Sequence, residues 1–259
     1  MKNMNKIKLL MLGAVAAVGL TACDSVSEED RFVEATIEPQ RAVLLEEFTG
    51  QLCTNCPDGH AAVNKLVATL GDSIVPVGIH ASGLSISVAS GGLGTEAGET
   101  YYAQVGSPAL PTGVIDRVTA PLQVADWDSQ IDALIVQPTP FTVAAKAAVS
   151  GTDYNIEVAF SSGDDYDGKL MVWVLENDIT ALQLDHGVYV TDYVHNHVFR
   201  TYATADVDGE AVSLKAHSPQ TKTYTVAIDE KWNASNLYVV AFLYNNAGVA
   251  QVTQSPSSH

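Results

Sequence analysis

Val43–His60 reads VLLEEFTGQLCTNCPDGH, and this stretch decides how the rest of the chain is interpreted. An apolar run with the character of a buried strand leads to Cys53 and Cys56, and Pro57 then opens a helical pattern. Two thiols three residues apart, where a strand passes into a helix, can close a small disulfide ring. Cys53 would lie just before the helix, where free N–H groups and the helix dipole stabilise a thiolate.

The cysteine pair allows three interpretations. It can be a redox-active dithiol, a structural disulfide, or half of a zinc site. A zinc site needs a second ligand pair, and the sequence has no other Cys-x-x-Cys and no His-x3-5-His. His195 and His197 could chelate a metal with His186 or Asp185, but ordinary strand histidines are more common. We therefore expect neither a metal nor a cofactor.

The first residues are typical of an export signal. Three lysines flank the apolar run Leu9–Leu20, which is too short to span a bilayer as a mature helix. The run ends in Leu-Thr-Ala-Cys at Cys23, which resembles the bacterial lipobox. The pattern predicts a lipoprotein signal peptide over residues 1–22 and a lipid anchor on Cys23 that holds the protein on a membrane.

Export and composition limit what the cysteines can bond to and which partners the protein can have. An exported protein is in an environment that permits disulfides. If Cys23 carries lipid, Cys53 and Cys56 can bond only to each other or to a cysteine of a partner. The chain has 13 basic and 30 acidic residues and a formal net charge of −17, which argues against a nucleic-acid partner. Residues 23–39 are polar and acidic and are interpreted as a tether.

The periodicity divides the rest of the chain into two regions. A strand, the helix Cys56–Leu70 and a second strand are followed by a long Gly- and Ser-rich loop, another strand and a second helical pattern ending near Ile135. This order predicts an α/β domain over residues 40–138. From Phe141 onward, short alternating segments separated by turn residues predict an all-β immunoglobulin-like sandwich over residues 139–259.

Two resemblances add to this interpretation. The stretch from Val43 to Cys56 resembles the active-site strand and helix of the thioredoxins, which implies a thioredoxin-like fold for the first domain. Aligned on the cysteines, Glu47 stands where those proteins keep a buried acid that moves protons at the second cysteine, and Pro111 matches the cis-proline that faces the disulfide. Leu52 departs from the pattern, because an aromatic residue usually precedes the first cysteine.

The second resemblance is to the Omp28-related lipoproteins of the Bacteroidetes. It rests on the lipobox, on Glu-x-Phe-Thr-Gly-x-x-Cys-x-Asn-Cys-Pro ending at Pro57, and on His-Asn-His-Val-Phe-Arg at residues 195–200. It implies an outer-membrane lipoprotein, on the periplasmic face or at the cell surface. It implies no particular activity.

Two functions follow as hypotheses. In the first, the protein is a thiol–disulfide oxidoreductase: Cys53 attacks, Cys56 resolves the mixed disulfide, Glu47 moves the proton and Pro111 faces the bond. Its partners would be exported proteins with cysteines, and Cys53 would have to be accessible. In the second, the protein is a surface binding or adhesion lipoprotein, and the Cys53–Cys56 disulfide is purely structural.

Overall fold

The computed structural model describes residues 40–256. The predicted signal peptide, the anchor Cys23 and the acidic tether lie outside the described residues. Within residues 40–256, no helix is both long enough and apolar enough to cross a membrane.

The described part of the chain is built mostly from strands. Its three helices are α1 (Cys56–Leu70), α2 (Glu96–Gln104) and α3 (Trp127–Ile135). The strands are β1 (Val43–Thr49), β2 (Ile74–His80), β3 (Thr112–Ile115), β4 (Phe141–Ser150), β5 (Asp153–Ser162), β6 (Tyr166–Glu176), β7 (Ile179–Asp185), β8 (Val188–His195), β9 (Val198–Tyr202), β10 (Glu210–Leu214), β11 (Gln220–Ala227), β12 (Leu237–Asn245) and β13 (Gly248–Gln254).

One mixed sheet organises the structure. Its strands lie in the order β13-β12-β6-β9-β2-β1-β3, and β10 pairs with β6. β1 runs parallel to β2 and antiparallel to β3. β2 meets β9 only through Gly78 and Val198. The sequence predicts a bulge or an edge position at Pro76. In the structure Pro76 has no partner residue in β9, so its missing N–H leaves no hydrogen bond to β9 unmade.

The hydrophobic core has three parts, and the pleat of β6 separates two of them. Met171, Trp173 and Leu175 pack on one face with side chains from β1, β2 and α2. Leu170, Val172 and Val174 point to the other face, because successive strand residues alternate. There they meet the separate three-stranded sheet β11-β5-β4. The third part joins α1 and α3 to β1.

The predicted fold class, an α/β thioredoxin-like domain followed by an all-β immunoglobulin-like sandwich, is wrong. The described residues belong to one compact unit, and the main sheet takes strands from both sides of residue 138. The local strand–helix–strand order was predicted correctly, because capping and periodicity are local signals. The pairing of β2 with β9 joins residues 120 positions apart, and periodicity contains no information about such a pairing.

A second difference concerns residues 179–195. β7 and β8 form a hairpin that pairs with no other strand of the described chain. The alternation of apolar and polar residues predicts no strand over residues 179–194. We call Ile179–His195 the cover hairpin, because it lies over the cysteine loop.

Candidate functional site

The cysteine loop joins β1 to α1. Cys53 and Cys56 are bonded, with their Cα atoms 5.4 Å apart. The loop is turned by hydrogen bonds from the amide of Cys53 to the carbonyl of Gly50, at 3.0 Å, and from the amide of Cys56 to the carbonyl of Cys53, at 3.3 Å. A side chain at Gly50 would lie 2.7 Å from the carbonyl oxygen of Leu84, which explains the glycine there.

Helix α1 begins and ends at the predicted residues. Asn55 is its N-cap residue, Pro57 occupies the first turn where a missing N–H is harmless, and Gly71 ends it with a φ of 55°. Cys53 therefore lies just before the helix start, as predicted.

The disulfide is buried, and the cover hairpin is bonded to the loop that carries it. Cys53 is 4% exposed and Cys56 is 0% exposed. The amide of Leu184 donates to the carbonyl of Gln51 at 2.7 Å, and the amide of His186 donates to the carbonyl of Thr54 at 3.0 Å. The expectation of an accessible Cys53 therefore fails in this conformation.

Gln183 is the centre of this contact. Its buried amide nitrogen donates to the carbonyl oxygens of Cys53, at 3.0 Å, and of Gly50, at 3.3 Å. In return, the side chain of Gln51 donates to the carbonyl of Leu182 at 3.1 Å. The hairpin is thus attached to the backbone of the cysteine loop, so it can leave only if these bonds open.

Glu47 lies buried on β1, as the sequence predicted. Its Oε1 has no hydrogen-bond partner, and burial raises its pKa to about 8. A Cβ built on Gly59, one helical turn after Cys56, would lie 2.4 Å from Glu47 Oε1 and 3.2 Å from Cβ of Pro111. Glu47 and Pro111 therefore meet on the face of α1 that carries Cys56.

Pro111 follows Leu110 through a cis peptide bond, as the sequence predicted. It comes directly before β3, which pairs with β1. Register therefore holds Pro111 beside the strand that carries Glu47. The structure thus brings three of the predicted site features to one place: the cysteine pair, the buried acid and the cis-proline.

Glu46, the neighbour of Glu47, is buried on the opposite face of β1. Its carboxylate accepts from Nε and Nη2 of Arg117 at 3.1 and 2.9 Å. The Arg117 guanidinium also lies over the rings of Trp173, Phe242 and Tyr244. One glutamate is thus fully paired and the other is not, although they are adjacent in sequence.

Behind Glu47 lies a small cavity of about 30 Å³ that we call the histidine cavity. It is lined by side chains from four elements, among them Glu47 of β1, His60 of α1, His80 of β2, and Tyr193 and His195 of β8.

The contacts among these aromatic rings are close. The ring centres of His80 and His195 are 5.3 Å apart, those of His60 and His195 are 5.9 Å apart, and those of Tyr193 and His195 are 4.8 Å apart. Both ring nitrogens of His60 make hydrogen bonds: Nδ1 with the hydroxyl of Tyr193 at 2.8 Å, and Nε2 with the hydroxyl of Thr49 at 2.9 Å.

Burial keeps these histidines neutral. It lowers the pKa of His60 to about 3 and that of His195 to about 4, and it lowers the pKa of His80 well below the ordinary value. Neither ring nitrogen of His80 or of His195 has a hydrogen-bond partner. The backbone carbonyls of Leu182 and Ala181 favour the protonated form of His195, but less than burial disfavours it.

The four residues considered as metal ligands do not come together. His195 points into the cavity, and His197 bonds to Tyr238 through Nδ1 at 2.8 Å. His186 and Asp185 form an exposed pair at the hairpin turn. No group of three or more His, Cys, Asp or Glu side chains in residues 40–256 is arranged to hold a metal ion.

Sequence reasoning missed the importance of His60, Tyr193 and Gln183. The sequence around each of these residues has no motif that indicates a role. Each lies in a separate element and becomes significant only through the residues that surround it in the folded structure. The spacing of His195 and His197 predicts a shared strand face, but β8 ends at His195, and this spacing gives no indication that His195 contacts α1 and β2.

Comparison with known proteins identifies relatives. The family model described as outer membrane protein Omp28 matches residues 98–257, so the match begins after the cysteine loop. A search of curated proteins finds no match.

Among solved structures, HBP35 of Porphyromonas gingivalis is similar with a TM-score of 0.64 and 18% identity, over 83% of this chain and 74% of that one. Protein AGR_C_4864 from Agrobacterium tumefaciens is similar with a TM-score of 0.50 and 17% identity, over 83% and 95%. These similarities concern the fold alone.

A domain of the outer membrane lipoprotein Omp28 from Porphyromonas gingivalis also matches, at 19% identity over 46% of this chain and 88% of that one. Its TM-score of 0.32 is too low to support an argument about the fold. The family assignment rests on the sequence model, which covers more than half of the chain and confirms the resemblance found in the sequence. The chain belongs to the Omp28 family of outer membrane proteins.

Proposed function

We propose that this protein exchanges disulfides with cysteine-containing exported proteins through Cys53 and Cys56. The observation that supports this most directly is the buried carboxyl of Glu47, whose Oε1 has no hydrogen-bond partner and lies 3.9 Å from Nε2 of the neutral His60. This carboxyl lies against Gly59, one helical turn after Cys56. A structural disulfide has no need of such a group, and burying it destabilises the fold. A strongly perturbed acid beside a reactive pair is typical of functional sites.

The reaction proceeds in two steps, and its electrons balance. In the dithiol form, the Cys53 thiolate attacks one sulfur of a partner disulfide, and the partner's other sulfur leaves as a thiolate. Glu47, as carboxylate, takes the proton of Cys56, whose sulfur then attacks Cys53 and releases the partner's second thiolate. The partner gains two electrons, and this protein returns to its Cys53–Cys56 disulfide. The reverse sequence oxidises a partner.

Access requires the cover hairpin to move. With Cys53 only 4% exposed, no partner sulfur reaches it in the closed conformation. The six hydrogen bonds between the hairpin and the cysteine loop each involve a backbone group that water can satisfy once the hairpin leaves. The proposed cycle thus includes an opening step before each attack. The lipid on Cys23 would hold the domain at the membrane where exported partners pass.

A second function is favoured by the same burial. A binding lipoprotein with a permanent disulfide would also enclose both cysteines and fasten a hairpin over them. The two functions differ in the reduction potential of the bond. Structural disulfides of exported proteins have potentials below about −300 mV, whereas exchanging pairs lie between about −120 and −270 mV.

The test measures this potential by equilibration in glutathione and dithiothreitol buffers, together with the rate of insulin reduction. We expect a potential in the exchanging range and turnover that Cys53→Ser abolishes. Glu47→Gln should retain the disulfide but lower the rate at the resolving step by at least tenfold. A potential below about −300 mV, or turnover unchanged in Cys53→Ser, would refute the proposal and favour the binding protein.

A further inference from the structure

The cover hairpin is fastened at two places. At one end it bonds to the cysteine loop through Gln183 and Leu184. At the other end Tyr193 and His195 enter the histidine cavity and contact His60 and His80. The hairpin pairs with no other strand in residues 40–256, so contacts such as these, and not a sheet ladder, hold it closed.

The second contact depends on uncharged rings. His80 and His195 are 3% and 2% exposed, and none of their four ring nitrogens has a hydrogen-bond partner within 3.5 Å. The backbone of Gly78 beside His80, and of Leu182 and Ala181 beside His195, favours the protonated form, but less than burial disfavours it. A protonated ring here would be a buried charge with no ion-pair partner, 5.3 Å from another imidazole. Such a charge is strongly unfavourable unless it is paired or reaches water.

From these contacts we propose that the histidine cavity makes the cover hairpin a pH-sensitive gate, which closes over neutral histidines and opens when they are protonated, uncovering the Cys53–Cys56 disulfide. The purpose of the gate rests on the proposed exchange function. Its existence does not, since it concerns only the access of a reductant to the bond.

The other charged and titratable groups around the cavity determine the sign of the effect. They are Glu47, His60, Asp185, Tyr193, His197 and Arg200. Arg200 disfavours protonation of His80 and His195, and its guanidinium is already paired with Glu176 at 2.7 Å. Asp185 favours protonation of His60, but less than burial and His195 disfavour it.

One acidic group and one exposed pair bear on this sign. Glu47 packs against Gly59 and Pro111, which lie outside the hairpin, so in the proposed opening it stays buried, keeps its proton across this range because of its raised pKa, and adds no charge. The exposed His186 lies 3.5 Å from Asp58 of α1 and would tie the hairpin more firmly when protonated. Such solvent-exposed pairs contribute little, whereas the cavity histidines are buried.

The expected size follows from linkage. A histidine that is neutral when closed and reaches water when open favours opening about tenfold at pH 5.5 relative to pH 7.5. The experiment measures the rate at which a water-soluble phosphine reduces the disulfide of the full chain, divided by the rate for oxidised glutathione at the same pH. We expect this ratio to rise at least tenfold from pH 7.5 to pH 5.5.

A matched variant identifies the cause. His80→Phe/His195→Phe keeps two aromatic rings in place and removes no hydrogen bond within 3.5 Å. We expect it to lose most of the pH dependence, and we expect the control His217→Asn, on an exposed loop, to keep it. Circular dichroism verifies that each variant is folded, and His195→Phe alone replaces the double variant if that does not fold.

Several outcomes overturn the gate. A wild-type ratio that changes less than twofold between the two pH values would do so, as would an equal pH dependence in the phenylalanine variant. The readout also separates the two proposals. A protein that fails to reduce insulin but shows the pH-dependent phosphine rate refutes the exchange function and retains the gate.

Discussion

The effect of Glu47→Gln on stability should depend on pH. Relative to the wild type at the same pH, the variant should have a higher free energy of unfolding at pH 8 than it has at pH 5. Burial raises the pKa of Glu47 from 4.5 to about 8. Between these values the folded chain keeps the proton and the unfolded chain loses it. The unfolded state therefore binds fewer protons, and the free energy of unfolding of the wild type falls as pH rises through this window.

The magnitude follows from the width of the window. Each pH unit corresponds to about 1.4 kcal/mol, so the three units from pH 5 to pH 8 correspond to about 4 kcal/mol. Glutamine has nearly the shape of the protonated acid and does not titrate. The difference in free energy of unfolding, variant minus wild type, should therefore increase by about 4 kcal/mol from pH 5 to pH 8.

Urea unfolding of the oxidised protein at both pH values measures this difference. The buried histidines contribute equally to wild type and variant, so their pH dependence cancels. Glu157→Gln is the control, because that carboxylate belongs to an exposed pair with Lys146, and its removal should change the stability by less than about 1 kcal/mol at either pH. If the difference for Glu47→Gln is the same at pH 5 and pH 8, the buried carboxyl does not control the stability in the way argued here.

Two further substitutions test the packing on the two faces of β1, one at Glu46 and one at Glu47. Arg117→Met leaves Glu46 buried without its partner and should lower the free energy of unfolding, measured in urea, by about 3–5 kcal/mol. The double variant Arg117→Met/Glu46→Gln should recover at least half of that loss. No recovery would mean that the pairing of Arg117 with Glu46 is unimportant. Gly59→Ala would place a methyl group 2.4 Å from Glu47 Oε1, so a change that stabilises most helices should here destabilise by about 1–2 kcal/mol. Gly83→Ala meets nothing within 4 Å, and an equal effect of the two alanines on thermal unfolding would show that the contact with Glu47 is not tight.

The parts of the site that were predicted from sequence depend on neighbouring residues. The spacing of Cys53 and Cys56 allows a disulfide in any fold that turns at that point. The limits of α1 follow from Pro57 near its start and Gly71 at its end. The burial of Glu47 and the cis bond before Pro111 were expected from a resemblance, and both are present.

The parts that were not predicted depend on residues far apart in the chain. The cover hairpin contains polar, exposed positions that look like a loop, and Gln183 becomes important only because it reaches the carbonyl of Cys53. The histidine cavity joins α1, β2 and β8, whose histidines are separated by up to 135 positions. No local pattern indicates that such residues will meet.

The sequence by itself determined an exported chain with one cysteine pair at a strand–helix junction and with an acid, Glu47, in the strand before it. Capping, spacing and alternation give this information because they act between near neighbours. The tertiary structure alone decided that one mixed sheet unites the two halves and that the disulfide lies beneath a hairpin. It also decided that Glu47 Oε1 has no hydrogen-bond partner while Glu46 is paired with Arg117. These outcomes depend on burial and on long-range pairing, and both arise only when distant segments pack together.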